Sequence, residues 1–458
     1  MNISLNKNWG RALCTIILIS IIASHELLYV KLALWLLLGF VCLCDPGLAV
    51  DSVFFFAAFF VGTGFFQNSL VTIKHFHIAL AILLFVSFVK WNWTRWKQKE
   101  NWRPSMVLMF WIVLIALSIF SLWWVGEGLT KGVRTNGNLF LTFLCGSLLS
   151  ILITPEEAMR GLGFLAFGTC TRAAFGLLAF CKLPGPYVKE VILYNNHIGF
   201  YCTIALLCLL PFVMISRDRV AKWFSVIAFY FLFSVLLFSC SRTGYISFVG
   251  GLIAFLILQK WLGKKGFAGS KQRDIWLLLL SGCLGGVLIL LIAGYFFPLA
   301  FLFPIISSRL WMTLIVFVPS YWHRFHKENF YFLGHYRLEQ FQVLGEIIKQ
   351  HLIFGVGLAQ RVTDFHCLYF TLLGGTGVVG LLTFLGFCVS WIRQLLQAMV
   401  PDNGKGNMFR VVLLSCMVVW LFYSFAESFF LFFNIWVVIA AGIALSKKTT
   451  VERELSHT

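Results

Sequence analysis

Three short clusters in this chain carry residue types suited to chemistry. The first is Ser241-Arg242-Thr243-Gly244, in a narrow gap between two apolar runs. An arginine there either snorkels to lipid headgroups or contacts an anion at a helix end, where backbone N–H groups add positive potential. The second is Arg337, followed eighteen residues later by Gly355-Val356-Gly357. That glycine pair lets the chain turn sharply where a helix ends. It lacks the strand–turn–helix setting of a dinucleotide site. The third is His366, with Tyr369, Gly377 and Gly380 in the apolar run that follows. A histidine at the top of a membrane helix is either an interfacial residue or a proton acceptor, since imidazole titrates near neutral pH.

Other candidates are weighed the same way. Arg172, in Thr169-Cys170-Thr171-Arg172, falls inside an apolar run. A charge there is costly and faces the bundle interior or a cavity; the alternatives are a site cation and a structural pair with Glu26 or Glu427. His323 and His326 form an H-x-x-H pair without an obvious third zinc ligand, and surface histidines are the plainer reading. The acidic residues in the gaps on the outer side are few, Glu127, Glu190, Glu328, Glu339, Glu346 and Asp364, with no Asp-x-Asp pair among them. A reaction on that side is therefore not expected to rest on a carboxylate-held divalent metal. The 13 cysteines are scattered without ligand spacing, Cys42 and Cys44 included, and read as small apolar residues. Cys181, Cys240 and Cys367 lie near one boundary, without support for a disulfide.

The elements that must position these residues follow from composition. The chain has 458 residues, 60% of them hydrophobic and only 12% charged. That excludes a soluble enzyme, a disordered regulator and a small disulfide scaffold. Apolar runs recur over 48–66, 70–90, 105–125, 138–154, 161–180, 197–215, 223–239, 245–262, 276–297, 367–392, 411–426 and 429–446. The run 12–44, holding His25, Glu26 and Lys31, is either two short helices or one tilted hairpin. The expectation is an all-α polytopic transmembrane bundle of 12–14 helices. With a cytoplasmic N-terminus, the inner gaps hold 22 of the 36 Lys and Arg residues. The net charge of +18 is then a positive-inside topology signal, not a nucleic-acid footprint. No cleavable signal precedes the first run, which reads as a retained anchor.

One gap breaks the pattern. Residues 298–366 form a 69-residue loop on the side opposite the basic clusters, and loops this long usually carry function. Pro298 to Pro319 is apolar enough for the interface, and Arg337 to Leu352 has helical periodicity, with Leu338, Phe341, Leu344, Ile348 and Leu352 on one face. Three parts result: helices over 1–297, the partly helical loop 298–366 read as a lid, and helices over 367–458.

In sequence order these features resemble the O-antigen ligase and O-antigen polymerase superfamily. The matching residues are Ser241-Arg242, Arg337, Gly355-Val356-Gly357, His366, Leu368-Tyr369 and Gly377-Val378-Val379-Gly380, with Asn195-Asn196-His197 as a polar helix start. They cover about residues 195–392. Three positions depart from the pattern: Cys367 stands where the family has Asn, Gly375 where it has an acidic residue, and Leu352 where it has Pro. Details depending on those residues, such as acceptor choice, do not carry over.

The resemblance implies a multi-pass protein of the bacterial inner membrane with its site facing the periplasm. It implies transfer of a glycan from undecaprenyl diphosphate to an acceptor hydroxyl, on lipid A–core for a ligase or on another repeat unit for a polymerase. Arg242 and Arg337 would stabilise the departing diphosphate, His366 would be the general base, and Arg172 and Tyr369 would contact substrate. Membrane lipid is the expected surrounding partner. No cofactor, metal or nucleic acid is implied, and direct displacement would invert the anomeric centre. A transporter or flippase of lipid-linked glycans is the alternative of another class; the chain shows no repeated halves and no matched pair of broken helices to favour it.

Overall fold

Local signals set where the helices begin. Asp45 caps one, its carboxylate accepting from the Gly47 amide at 3.0 Å with Pro46 in the first turn. Asp218 caps another, accepting from Val220 N at 3.0 Å. Thr154-Pro155-Glu156-Glu157 forms a capping box. The Glu157 amide donates to Thr154 Oγ1 at 3.3 Å, and the Thr154 amide to Glu157 Oε2 at 2.9 Å.

The computed structural model describes residues 7–23, 28–58, 64–67, 72–90, 106–125, 144, 146–182, 196–216, 218–239, 241–264, 281–282, 284–285, 329–358, 365, 367–399, 404–425 and 433–456. The helices are α1 Lys7–Ala23, α2 Leu28–Cys44, α3 Pro46–Ala57, α4 His75–Lys90, α5 Met106–Val125, α6 Pro155–Lys182, α7 Asn196–Ile215, α8 Arg219–Phe238, α9 Arg242–Lys264, α10 Asn329–His351, α11 Leu368–Gln397, α12 Gly404–Tyr423 and α13 Phe433–Ser456. A short antiparallel hairpin, β1 Gly64–Gln67 with β2 Thr72–Lys74, pairs Gly64 with Lys74 and Gln67 with Thr72.

The chain is thus a helical bundle, and α7, α8, α9, α11 and α12 are long and apolar enough to cross a membrane. The run 12–44 takes one of its two expected forms, two helices, α1 and α2, packed together. Other expected spans differ from the observed elements. The run 48–66 is not one span, because α3 stops at Ala57 and β1 begins at Gly64. The run 70–90 opens with β2 before α4. Short apolar runs do not distinguish helix from strand, and the Gly62-Thr63-Gly64 punctuation carries more weight there than hydropathy. Residues 155–160, between the runs 138–154 and 161–180, form the start of α6, launched by the capping box. The run 276–297 lies almost wholly outside the described residues, as does 298–328 of the long loop.

Within the bundle, α12 packs against α9 and α7, α7 against α6 and α8, and α6 against α3. Lipid offers helices no hydrophobic drive to associate, so close backbone approach matters more than in water. Gly168 of α6 shows this: a side chain there would strike the Phe55 carbonyl of α3. Helix ends meet in two sets. At one, here the upper end, Leu368 N donates to Ser424 O at 2.8 Å, joining the start of α11 to the end of α12. At the lower end Gln259 of α9 reaches Met408 of α12, and Arg410 Nη2 donates to Leu445 O of α13 at 2.9 Å. The ends that loop charge assigns to one side thus stand together.

Candidate functional site

The Ser-Arg pair begins α9. Ser241 is buried, and its Oγ accepts from the Gly244 amide at 3.0 Å while its carbonyl accepts from Tyr245 N at 3.0 Å. It is therefore the helix cap, and Arg242 is the first helical residue. Ser241 Oγ also lies 3.2 Å from Tyr423 Oη at the end of α12. Thr203 Oγ1 donates to Gly199 O at 2.8 Å and approaches Gly244 O at 3.4 Å, tying α7 to the same point. The Arg242 side chain lies outside the described residues.

The start of α11 meets the same end of α12. Cys367 is its N-cap and makes no side-chain cap bond. Tyr369 Oη donates to Leu421 O at 3.0 Å, and its ring lies 4.6 Å from that of Phe425. The hydroxyl expected to contact substrate is thus engaged with the α12 backbone. His366 itself lies outside the described residues; the described chain resumes at Cys367.

Arg337 lies on α10, which begins at Asn329 rather than at the arginine. Leu344 packs with Val356 and Phe365, joined by Ile348, Phe370 and Leu373. Phe341 sets its ring edge on Phe370, centroids 4.9 Å apart. The expected apolar face is therefore only partly right: Leu344 is buried, but Phe341 and Leu352 are 54% and 48% exposed. Arg337 precedes Phe341 by one helical turn, so its backbone stands roughly 6 Å beyond the first turn of α11 along α10. Its side chain is outside the described residues.

The two glycine motifs, read separately in the sequence, are one structure. α11 is broken at Gly377, with φ 67° and ψ −168°. Gly355 and Gly357 also have positive φ, 67° and 92°. Val356 N donates to Gly374 O at 2.9 Å and Gly357 N to Gly375 O at 2.7 Å. In return Val378 N donates to Leu352 O at 2.9 Å and Val379 N to Ile353 O at 3.3 Å. The turn after α10 thereby satisfies the groups that the break in α11 frees.

Arg172 reaches the C-cap of α3. Its Nη1 donates to Ala58 O at 3.0 Å, and its guanidinium lies 4.5 Å above the centre of the Tyr201 ring of α7. Glu26 and Glu427, the carboxylates considered for it, are outside the described residues. Tyr201 and Tyr423, which anchor this end, went unread in the sequence; Tyr423 had one signal, an aromatic at the boundary of a span. Among the described residues, no three of His, Cys, Asp or Glu stand together to hold a metal. His323, His326, Glu127, Glu190, Glu328 and Asp364 lie outside the described residues, as does the Glu339 side chain; Glu346 is exposed. Cys367 is buried and forms no disulfide with another described cysteine, while the Cys181 side chain and Cys240 fall outside the description.

Fold and packing define a helical membrane protein. No family model matches the chain, and no curated protein does either.

Proposed function

We propose that the protein is a membrane glycosyltransferase of the O-antigen ligase kind, acting at the periplasmic face of the bacterial inner membrane. It moves a glycan from undecaprenyl diphosphate to a hydroxyl of the lipid A–core acceptor. One observation carries the reading. The start of α9 at Arg242 and the start of α11 just after His366 both meet the end of α12 at Tyr423 and Ser424. α10 docks on the first turn of α11 with Arg337 one turn beyond. That convergence supports a headgroup site at one face of the bundle, built from two arginines and an imidazole.

In this reading the acceptor oxygen attacks the anomeric carbon and gives its proton to His366. The bond from that carbon to the diphosphate oxygen breaks, and undecaprenyl diphosphate leaves with the electron pair. One displacement inverts the anomeric centre. The leaving group is already anionic, so it needs cationic stabilisation more than a proton, which is the role of Arg242 and Arg337. Arg172 adds positive potential from α6, and Tyr369 holds α11 to α12. The diphosphate linkage supplies the driving force, so no metal is required.

The test replaces His366 or Arg337 with Ala and measures glycan-capped acceptor in cells at matched protein levels. Transfer should fall at least about 10²–10⁴-fold for the base. Wild-type transfer by both variants would remove the assignment. A ligase defect accumulates long lipid-linked polymer, whereas a polymerase defect leaves acceptor carrying one repeat unit. EDTA should leave the purified enzyme active; inhibition reversed by Mg²⁺ would defeat the metal-free route.

A further inference from the structure

We propose that the lower part of α11 carries a binding site for one anionic phospholipid of the lower leaflet, with the lipid phosphate on Arg393 and an acyl chain along Val389, Ile392 and Leu396. These four residues and Gln397 line a groove of 410 Å³. They recur at the i, i+3, i+4, i+7 and i+8 spacing of one helix face. Phe387, Trp391 and Leu395, all buried, hold the opposite face against the bundle. The groove therefore opens outward, where Val389 is 64% exposed, and in a membrane that side meets lipid.

Height is fixed by contacts along the arm of α11 beyond Gly377. Phe384 sets its ring edge on Trp420 of α12, centroids 5.4 Å apart, near the upper end of that helix. Trp391 Nε1 donates to Ile439 O of α13 at 3.2 Å. Leu445, six residues further down α13, holds Arg410 at the lower end. Gln397, six residues beyond Trp391, comes level with Leu445. Arg393 stands one turn above, roughly 6 Å, from where a long side chain reaches down to the headgroup level. Val389 is the highest of the five and Gln397 the lowest, so the groove is apolar toward the membrane interior and polar toward the lower surface.

Volume and charge name the occupant. A helix about 10 Å across would fill 410 Å³ within one turn, so a transmembrane partner does not fit, whereas the space falls in the range of small-molecule sites, about 300–1,000 Å³. The one charge in the lining is a guanidinium, which suits phosphate oxygens. Two other arginines at this end are engaged within the protein: Arg160 on Asp51, and Arg410 on Asn407 Oδ1 and Leu445 O. Arg393 makes no such bond among the described residues, so its charge is offered to the groove. A zwitterionic phosphatidylethanolamine would bring an ammonium to the same place, and like charges repel. The site lies at the end opposite the proposed reaction and rests on none of it.

The experiment takes the full chain in mild detergent, adds phosphatidylglycerol or phosphatidylethanolamine, and counts bound lipid by native mass spectrometry. One phosphatidylglycerol should be retained, at least about tenfold more tightly than phosphatidylethanolamine. Arg393→Met should abolish that preference, and Arg393→Lys should recover part of it. Arg219→Gln removes an exposed charge at the same end, at the start of α8, and should change nothing. Equal retention of the two lipids, unaltered binding by Arg393→Met, or equal weakening by Arg219→Gln would overturn the site, the last by showing a general surface charge. Val389→Trp fills the groove and leaves the arginine, so it should release the lipid by itself; lipid held as before would refute the groove, whether or not Arg393→Met folds. Inorganic phosphate at millimolar concentration should not displace the lipid, and displacement would mean a site for a free anion instead.

Discussion

Two arginines on α6, twelve residues and roughly 18 Å apart, both reach α3 and end in opposite electrostatic states. Arg160, near the lower end, gives its Nε to both oxygens of Asp51 at 2.8 and 3.0 Å and its Nη2 to Gly47 O at 3.0 Å. Its charge is cancelled. Arg172, toward the upper end, is held by a carbonyl and an aromatic face. Neither is anionic, so among the described residues its charge keeps no carboxylate partner. The lesson concerns function: a paired arginine fastens helices, while one positioned by neutral groups still offers its charge to an anion. The largest effect should therefore fall at the paired site. Arg160→Met leaves Asp51, which is 0% exposed, charged or protonated without its partner. Removing one partner of a buried pair costs about 3–5 kcal/mol, seen as early thermal unfolding in detergent. Asp51→Asn should cost less, because Arg160 is 30% exposed and can turn to solvent. Equal losses would show that the pair is not buried as described.

A similar contrast separates two glycines at the upper end. Gly377 is in the left-handed region with its α-carbon against the Ile353 carbonyl, whereas Gly345, within α10, has no atom near a would-be side chain. Gly377→Ala should destabilise by about 1–3 kcal/mol from backbone strain before any clash is counted. Gly345→Ala should stabilise by about 0.5–1 kcal/mol through helix propensity. Thermal melts of the two variants should move in opposite directions; a shared direction would mean that the break in α11 is not fixed by Gly377.

Arg172 sharpens the first comparison because stability and activity should separate there. Arg172→Met loses one hydrogen bond and a ring contact, about 1 kcal/mol each. If its charge serves the diphosphate, transfer falls about tenfold more than the melt accounts for, equivalent to about 1.4 kcal/mol. Arg172→Lys should recover part of it, keeping the charge without the planar stacking. Activity falling only in step with folded protein would reduce Arg172 to a fastener like Arg160.

The helical class of the fold was legible because apolar content and loop charge are carried residue by residue. What was not legible is instructive. The run 48–66 reads as one span because hydropathy is blind to the change from α3 to β1. Gly355-Val356-Gly357 and Gly377-Val378-Val379-Gly380 could be noticed as motifs, but not that each bonds the other, since backbone pairing between distant segments leaves no periodicity. At the candidate site the sequence supplied Arg242, Arg337 and His366 by type and order. It could not supply Tyr423, whose hydroxyl beside Ser241 carries no signal beyond an aromatic near a boundary. Arg172 was legible as an intramembrane charge, yet Ala58 and Tyr201, which settle how it is held, were not.

The smallest effect concerns residues 155–160. Glu156 and Glu157 sit in the first turn of α6, where negative charge suits the helix dipole. Thr154→Ala removes the acceptor for the Glu157 amide and should cost about 1 kcal/mol, while Thr154→Ser should cost almost nothing. Arg160 lies only one turn further on, and its bond to Asp51 depends on that turn being formed. Thr154→Ala combined with Arg160→Met should therefore cost less than the sum of the two, by more than the roughly 0.3–0.5 kcal/mol scatter of independent sites. Strict additivity would mean that α6 holds Arg160 in place without its cap, and that the pairing contrasted with Arg172 owes nothing to how the helix begins.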